Sequence, residues 1–308
     1  MTRHGAQRRA RHPLAAGAAA VVCATLLAGA GCGGAPEFDA GRAYGDLLAQ
    51  CAFGPRYPGS EAHLEMRQWL EARVSETADE VRLQRFTYAT PLGEMEFSNV
   101  VASYRPEVRE RVLLAAHWDT RSVAERDPDP ANRETPILGA HDGASGVAVL
   151  LELGRMISER PPDVGIDIVF FDAEDGGDEG GLGAWCIGSS YFASHLGAYC
   201  PRYAIVVDMV GDCELEIPME PYSRSAAPEL IRSIWDAADR VGAESFVNRT
   251  GTAIYDDHVP LAQAGLAAVV LIDLDYPYWH TVADTPDKCC PESLGEVGRV
   301  LAHFLYSL

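Results

Sequence analysis

The stretch IDIVFFDAED, Ile166 to Asp175, sets five apolar residues around one acid and then places three acids within four positions. A short run of this kind reads as a strand buried on both faces, as in the middle of a parallel sheet. Phe170 and Phe171 anchor its end in the core, so the acids that follow stand at the mouth of a sheet and not in a free loop. Glu174 and Asp175 are adjacent and point different ways, so one can ligate a metal while the other handles protons. Crowding among carboxylates raises the pKa of an acid that does not ligate, as a general base near neutral pH requires.

The pattern recurs along the chain. Arg111 to Ala116 is an apolar run that delivers His117 and Asp119, which share one side of an extended segment. Tyr203 to Val207 ends in Asp208, and Ala267 to Ile272 comes shortly before the tetrapeptide YWHT, with His280 beside Trp279. Val81 to Tyr88 and Ser98 to Tyr104 read as two further strands. Residues 40–51, 61–78, 143–158, 188–196, 228–241 and 291–305 read as helices, with Leu64, Trp69, Leu70 and Val74 forming the apolar face of the second. Strands that alternate with helices predict an α/β domain whose mostly parallel sheet is covered on both faces. In such a sheet, residues at the strand ends converge on one crevice.

Other candidates lie at turns. Asp142, in GAHDGASG, opens a helix at a turn of small residues, where it can ligate or simply cap. Asp256, Asp257 and His258, in DDHVPL, precede another predicted helix and also read as caps. Tyr276, Tyr278 and Trp279 look like the wall of a pocket. Taken one at a time, these residues are equally well a surface histidine, capping acids or a solvated loop. In one chain and in this order, they form a set of imidazoles and carboxylates that suits zinc.

Composition narrows the function. The chain has 308 residues, 45 acidic against 25 basic, and a net charge of -20, which argues against nucleic acid as a partner. Arg3, Arg8, Arg9 and Arg11 precede an apolar, Ala-rich run at 14–30, which predicts a signal peptide over 1–31. LAGAGC resembles a bacterial lipobox with Cys32 as the acylated residue. The expected product is exported, either periplasmic or held to a membrane only through a lipid on Cys32. A linker at 32–39 leads to a single catalytic domain over 40–308. Residues 120–138 read as a surface loop and DGGDEGGLG, from Asp175, as a flexible acidic one. Six cysteines remain beyond the leader (Cys51, Cys186, Cys200, Cys213, Cys289 and Cys290), which allow 15 pairings. Cys186 and Cys213 could equally be buried thiols.

The motifs FGPRYPGS, AHWDTR, GAHDGASG, FFDAED, WCIGSSYF, DMVGD, DDHVPL and YWHT, in that order, resemble the zinc-dependent exopeptidase superfamily of bacterial aminopeptidases and animal-type glutaminyl cyclases. The resemblance runs from about Cys51 to the C-terminus. It implies a three-layer α/β/α sandwich around a mixed, mostly parallel sheet, with Asp142, Asp175 and His280 as zinc ligands and Glu174 as the acid–base glutamate. His117 and Asp208 match a second metal site in two-zinc aminopeptidases, with Asp142 bridging, but one-zinc cyclases carry them too. DDHVPL and the Trp of YWHT resemble the cyclase more closely. The implied activity is conversion of N-terminal Gln on peptides to pyroglutamate with release of ammonia, using one zinc. Asp257 would assist Glu174, and Trp279 and Trp185 would pack on the substrate. Asp175 stands where animal cyclases carry Glu. The alternative implied is a two-zinc aminopeptidase.

Overall fold

Alternation inside each buried strand builds the layers. Residues 112, 114, 116, 166, 168 and 170 face one apolar core, and residues 113, 115, 169 and 171 face the other. The computed structural model describes residues 1, 2, 5, 36–177 and 180–308. Nearly all of the leader expected over 1–31 lies outside the described residues, as do Cys32, the start of the linker, and Asp178 and Glu179 of the acidic loop.

The strands are β1 (Glu80–Thr90), β2 (Gly93–Tyr104), β3 (Arg111–His117), β4 (Gly165–Phe171), β5 (Tyr203–Asp208), β6 (Ile217–Met219), β7 (Phe246–Thr250) and β8 (Ala268–Ile272). The helices are α1 (Ala40–Cys51), α2 (Glu61–Ser75), α3 (Ala144–Glu159), α4 (Ile187–Ser194), α5 (Pro221–Ala226), α6 (Pro228–Val241), α7 (His258–Gln263) and α8 (Pro291–Leu305). Six strands form one mixed sheet in the order β1-β2-β4-β3-β5-β8. β1 pairs antiparallel with β2, and β2 with β4; the remaining neighbours are parallel. Helices α1, α2, α3, α6 and α8 cover the larger core, and α4 and α7 the smaller one. This is the three-layer sandwich with a mostly parallel sheet. Residues 34–308 group as one unit.

From β3 the chain passes through α3 to β4 on one side, and β5 then lies on the other side of β3. Open α/β sheets bind ligands where the order reverses in this way, beyond the carboxyl ends of the strands. His117 closes β3 and Asp208 closes β5, so the two flank that crevice.

Several expectations shift in detail. The buried face of α2 is His63, Met66, Leu70 and Val74, whereas Leu64 is exposed. His63 takes a core position because its Nε2 meets Asp172 Oδ1 at 2.7 Å and its ring stacks on Trp118 at 4.3 Å. The short elements β6, β7, α5 and α7 have too few residues to show a period. Cys213 is not a thiol: it bonds to Cys290, while Cys51, Cys186, Cys200 and Cys289 are free.

The turn after α1 carries a fully buried guanidinium. Arg56 donates to the carbonyls of Leu138 and Gly139 at 2.9 Å each and to Trp118 at 3.4 Å, and its N–H donates to Thr120 Oγ1 at 2.8 Å. It staples the loop after β3 to the turn before α3, the two segments that present His117 and Asp142. Removing it strands buried carbonyls, each worth about 1–3 kcal/mol. Arg56→Ala is expected to cost about 3 kcal/mol in urea unfolding; a loss below about 1 kcal/mol would rule out the staple.

Candidate active site

Four loops at the strand ends bring the predicted residues together. His117 Nε2 lies 3.1 Å from Asp208 Oδ1 and 3.2 Å from Asp142 Oδ1. His280 Nε2 lies 3.4 Å from Asp175 Oδ1 and 3.6 Å from Asp142 Oδ2. Two groups of donors result, His117–Asp142–Asp208 and Asp142–Asp175–His280, each with ligand atoms within 4.8 Å of one another. Asp142 belongs to both and turns one oxygen toward each histidine.

Both groups suit a small divalent cation. Tetrahedral ligands about 2.0–2.1 Å from zinc stand about 3.3 Å apart, close to the spacings found here. The second group carries two further marks. Asp175 Oδ2 is buried and has no hydrogen-bond partner. His280 Nδ1 is held by Glu125 Oε1 at 2.5 Å, which leaves Nε2 to ligate. His117 Nδ1 has no partner, with Asp119 Oδ1 the nearest acid at 3.5 Å.

The backbone is forced into this arrangement. Non-glycine residues with positive φ include Ala173 (55°), Cys186 (54°), Met209 (48°) and His280 (55°), and each is a site residue or sits beside one. Left-handed backbone at such residues costs of order 1–3 kcal/mol and persists only where the surroundings impose it. Asp119 helps to impose it by accepting the N–H groups of Glu174 at 3.0 Å and Asp175 at 3.2 Å. Gly143 (φ 95°) caps α3, and a Cβ there would lie 2.7 Å from the Asp119 carbonyl. Asp142 is therefore not the N-cap of α3, and Asp257, at the start of α7, makes no side-chain capping bond. Asp284 accepts the N–H groups of His141 and Asp142 at 2.9 and 3.2 Å and fixes the bridging carboxylate from behind.

A cavity of about 310 Å³ opens over the metal groups. Asp142, Glu174, Asp175, Asp208, Asp256 and His280 form its polar floor, and Trp185, Trp279, Ile254, Tyr255, Ile272 and Leu274 its apolar wall. Trp185 and His280 run nearly parallel, 8° apart, with centroids 6.2 Å from each other. Gly177 makes room for this indole: a Cβ there would lie 2.0 Å from Trp185 Cε2. Tyr276 and Tyr278 do not line the cavity; Tyr276 instead donates to Asp284 at 3.0 Å. Asp257, expected beside Glu174, is fully buried and acts on that carboxyl from outside the cavity lining, which its neighbour Asp256 joins.

Burial, reinforced by Asp175, Asp257 and Asp256, holds the Glu174 carboxyl well above its usual range against the pull of His117. Burial and Asp256 do the same to Asp257, and burial with Asp208 pushes Asp256 up to about 7. Cys186 Sγ donates to Glu174 Oε1 at 3.2 Å, and burial keeps it a thiol. Cys186 is the buried thiol that the sequence allowed, whereas Glu125 and Arg121 were not singled out from it. Arg121 donates to Asp175 Oδ1 at 3.2 Å and to Glu125 Oε2 at 2.7 Å.

Fold and site together define an α/β enzyme built around a buried metal centre of imidazole and carboxylate. The sequence model of Peptidase family M28 matches residues 99–305, and the chain belongs to that family. A glutaminyl cyclase from Tannerella forsythia is 38% identical, with a TM-score of 0.84 over 89% of this chain and 100% of that one. A Zn-dependent exopeptidase from Parabacteroides distasonis is 34% identical, with a TM-score of 0.85 over 89% of this chain and 100% of its own. The glutaminyl-peptide cyclotransferase-like protein of Mus musculus is 28% identical over 299 residues, 87% of this chain and 76% of that protein.

Glu220 supports the turn that presents Asp256. It accepts from Tyr222 N at 2.9 Å, Ser223 N at 2.6 Å and Ile254 N at 3.4 Å, and meets His258 Nε2 at 3.2 Å. Burial opposes its charge, but His258 and the N–H groups of Ser223 and Tyr222 hold its carboxyl down at about 2. A depressed acid stabilises the fold above its unfolded pKa and loses that contribution as pH falls through the folded one. Stability should therefore decline from about pH 4.5 toward pH 2, and Glu220→Gln should flatten that stretch. Urea unfolding at pH 5, 4 and 3 (values of about this spacing suffice) checks it; equal slopes in the two proteins would exclude the linkage.

Proposed function

We propose that the protein is a zinc-dependent glutaminyl-peptide cyclotransferase, which closes the N-terminal Gln of a peptide into pyroglutamate and releases ammonia. One observation carries this reading. A small cavity walled by two indoles ends on a carboxylic acid, Glu174, that stands beside the metal ligands and ligates nothing itself. A cavity of about 310 Å³ has room for the N-terminal side chain of a peptide.

Asp142, Asp175 and His280 would hold the zinc. The ion supplies Lewis acidity to the side-chain amide carbonyl. Trp185 and Trp279 enclose the aliphatic part of the Gln side chain and exclude water. Glu174 takes a proton from the α-amine as the amine nitrogen bonds to the amide carbon. The same carboxyl returns that proton to the departing nitrogen as the carbon–nitrogen bond breaks, so ammonia leaves and no water is consumed. Asp257, which bears on Glu174 more strongly than Asp256 does, would assist it, with Asp256 next to it on the cavity lining. Because ring closure is intramolecular, orientation provides much of the rate.

A second reading, a two-zinc aminopeptidase, has one observation in its favour: the two oxygens of Asp142 face two donor groups, as a bridging carboxylate does. There Glu174 would activate water. The closer carboxylate behind His280, 2.5 Å from its Nδ1 against 3.5 Å for Asp119 and His117, favours one ion at the His280 group. We also propose export with a lipid at Cys32, which intact-mass analysis of membrane-extracted protein would test.

Zinc-loaded protein incubated with a Gln-initiated and a Leu-initiated peptide is expected to remove ammonia (about 17 Da) from the first and leave the second intact. Release of free Leu would overturn the cyclase in favour of the peptidase. Glu174→Gln should retain zinc, measured by elemental analysis, while kcat falls at least about 100-fold. Retained turnover would remove Glu174 from the proton path. Stoichiometry near one zinc per chain supports the first reading; two supports the second.

A further inference from the structure

His280 and Asp175 come from loops far apart in the chain, yet both lean on the same pair of side chains. Glu125 Oε1 meets His280 Nδ1 at 2.5 Å, and Glu125 Oε2 accepts from Arg121 Nε at 2.7 Å. Arg121 Nη1 then donates to Asp175 Oδ1 at 3.2 Å and to the Asp175 carbonyl at 3.1 Å. The series His280–Glu125–Arg121–Asp175 closes behind the donor group. The Arg121 side chain is fully buried, and its guanidinium lies 4.5 Å over the ring of Trp185, the indole that flanks His280.

Each link settles a choice that the ligand could not settle alone. A neutral imidazole carries its proton on either nitrogen. A carboxylate against Nδ1 keeps the proton there and offers the Nε2 lone pair to the cavity. A carboxylate can turn either oxygen toward a cation. Arg121 fixes the turn of Asp175 by holding Oδ1, the oxygen 3.4 Å from His280 Nε2, while the buried Oδ2 has no hydrogen-bond partner. The other donor group has a looser backing: Asp119 Oδ1 stands 3.5 Å from His117 Nδ1, against 2.5 Å for Glu125 and His280.

We propose that Glu125 is a positioning residue for the metal: it fixes His280 directly and Asp175 through Arg121, and so makes the Asp142–Asp175–His280 group the tighter of the two. The inference rests on the zinc-enzyme reading above and adds residues of the 120–138 loop to it. Glu125 does not line the substrate cavity and is not itself one of the donors, so its contribution is to affinity and geometry rather than to proton transfer.

The test is zinc affinity of metal-free protein, measured by competition with a chromophoric chelator. Glu125→Ala should weaken the first zinc about 10–100-fold, the usual effect of losing such a partner. Glu125→Gln keeps an oxygen able to accept from Nδ1 and should recover most of that loss. Melting of the metal-free proteins separates this from damage to the fold: both variants should melt within a few degrees of the parent. A parent that binds zinc tightly and a Glu125→Ala variant within about threefold of it would overturn the positioning role alone. Equal losses in Ala and Gln would overturn it too, since the hydrogen bond would then be irrelevant. A parent that binds no zinc would overturn this inference together with the functional reading.

Discussion

At the carboxyl end of the sheet Asp142, Glu174, Asp175, Asp208, Asp256 and Asp257 are all shut away from water within one crevice, and their mutual repulsion sets the terms for everything built around them. Two like charges about 4 Å apart repel by about 4 kcal/mol even at an effective dielectric of 20. The protein relieves this in several ways at once. The repulsion shows in the raised pKa of the Glu174, Asp256 and Asp257 carboxyls, which burial and their acidic neighbours push up. Asp142 is held ionised at about 2, where burial is outweighed by His117, His280 and His141. Arg121 sits against Asp175. A bound cation would relieve most of what remains. The rigid strands behind the crevice keep the acids from moving apart and hold Ala173, Cys186, Met209 and His280 in left-handed backbone.

Much of the fold is legible in the sequence because the four parallel strands are apolar on both faces, and a continuous apolar run leaves little room for another reading. Within β1 and β2, residues 81–88 and 98–104 read as strands, the first by its alternation. The sequence conceals features that depend on partners. The inward face of α2 hinges on His63, a polar residue buried only because Asp172 and Trp118 wait for it. The short elements β6, β7 and α5 are neither long enough to show a period nor apolar enough to read as a buried run. One disulfide among 15 possible pairings needs coordinates.

The site divides in the same way. Residues that reach into the crevice lie in short motifs at strand ends and are found by reading those ends. Residues that act from behind are not, because contact and not spacing defines them: Glu125 and His280 lie 155 positions apart. Asp256 and Asp257 illustrate the limit from the other side. Two identical neighbours precede a short helix, and only the direction of the turn decides which one meets the cavity. Arg56 stands in a motif, yet its work is to bind carbonyls of segments that reveal nothing of it.

Asp142 has a consequence for how such proteins diverge. With one oxygen toward each histidine, it lets a single scaffold serve one ion or two without moving the main chain. The step from ring closure to hydrolysis, or back, then runs through side chains behind the histidines and along the cavity wall. The ligand residues alone therefore do not tell which of the two chemistries such a scaffold performs.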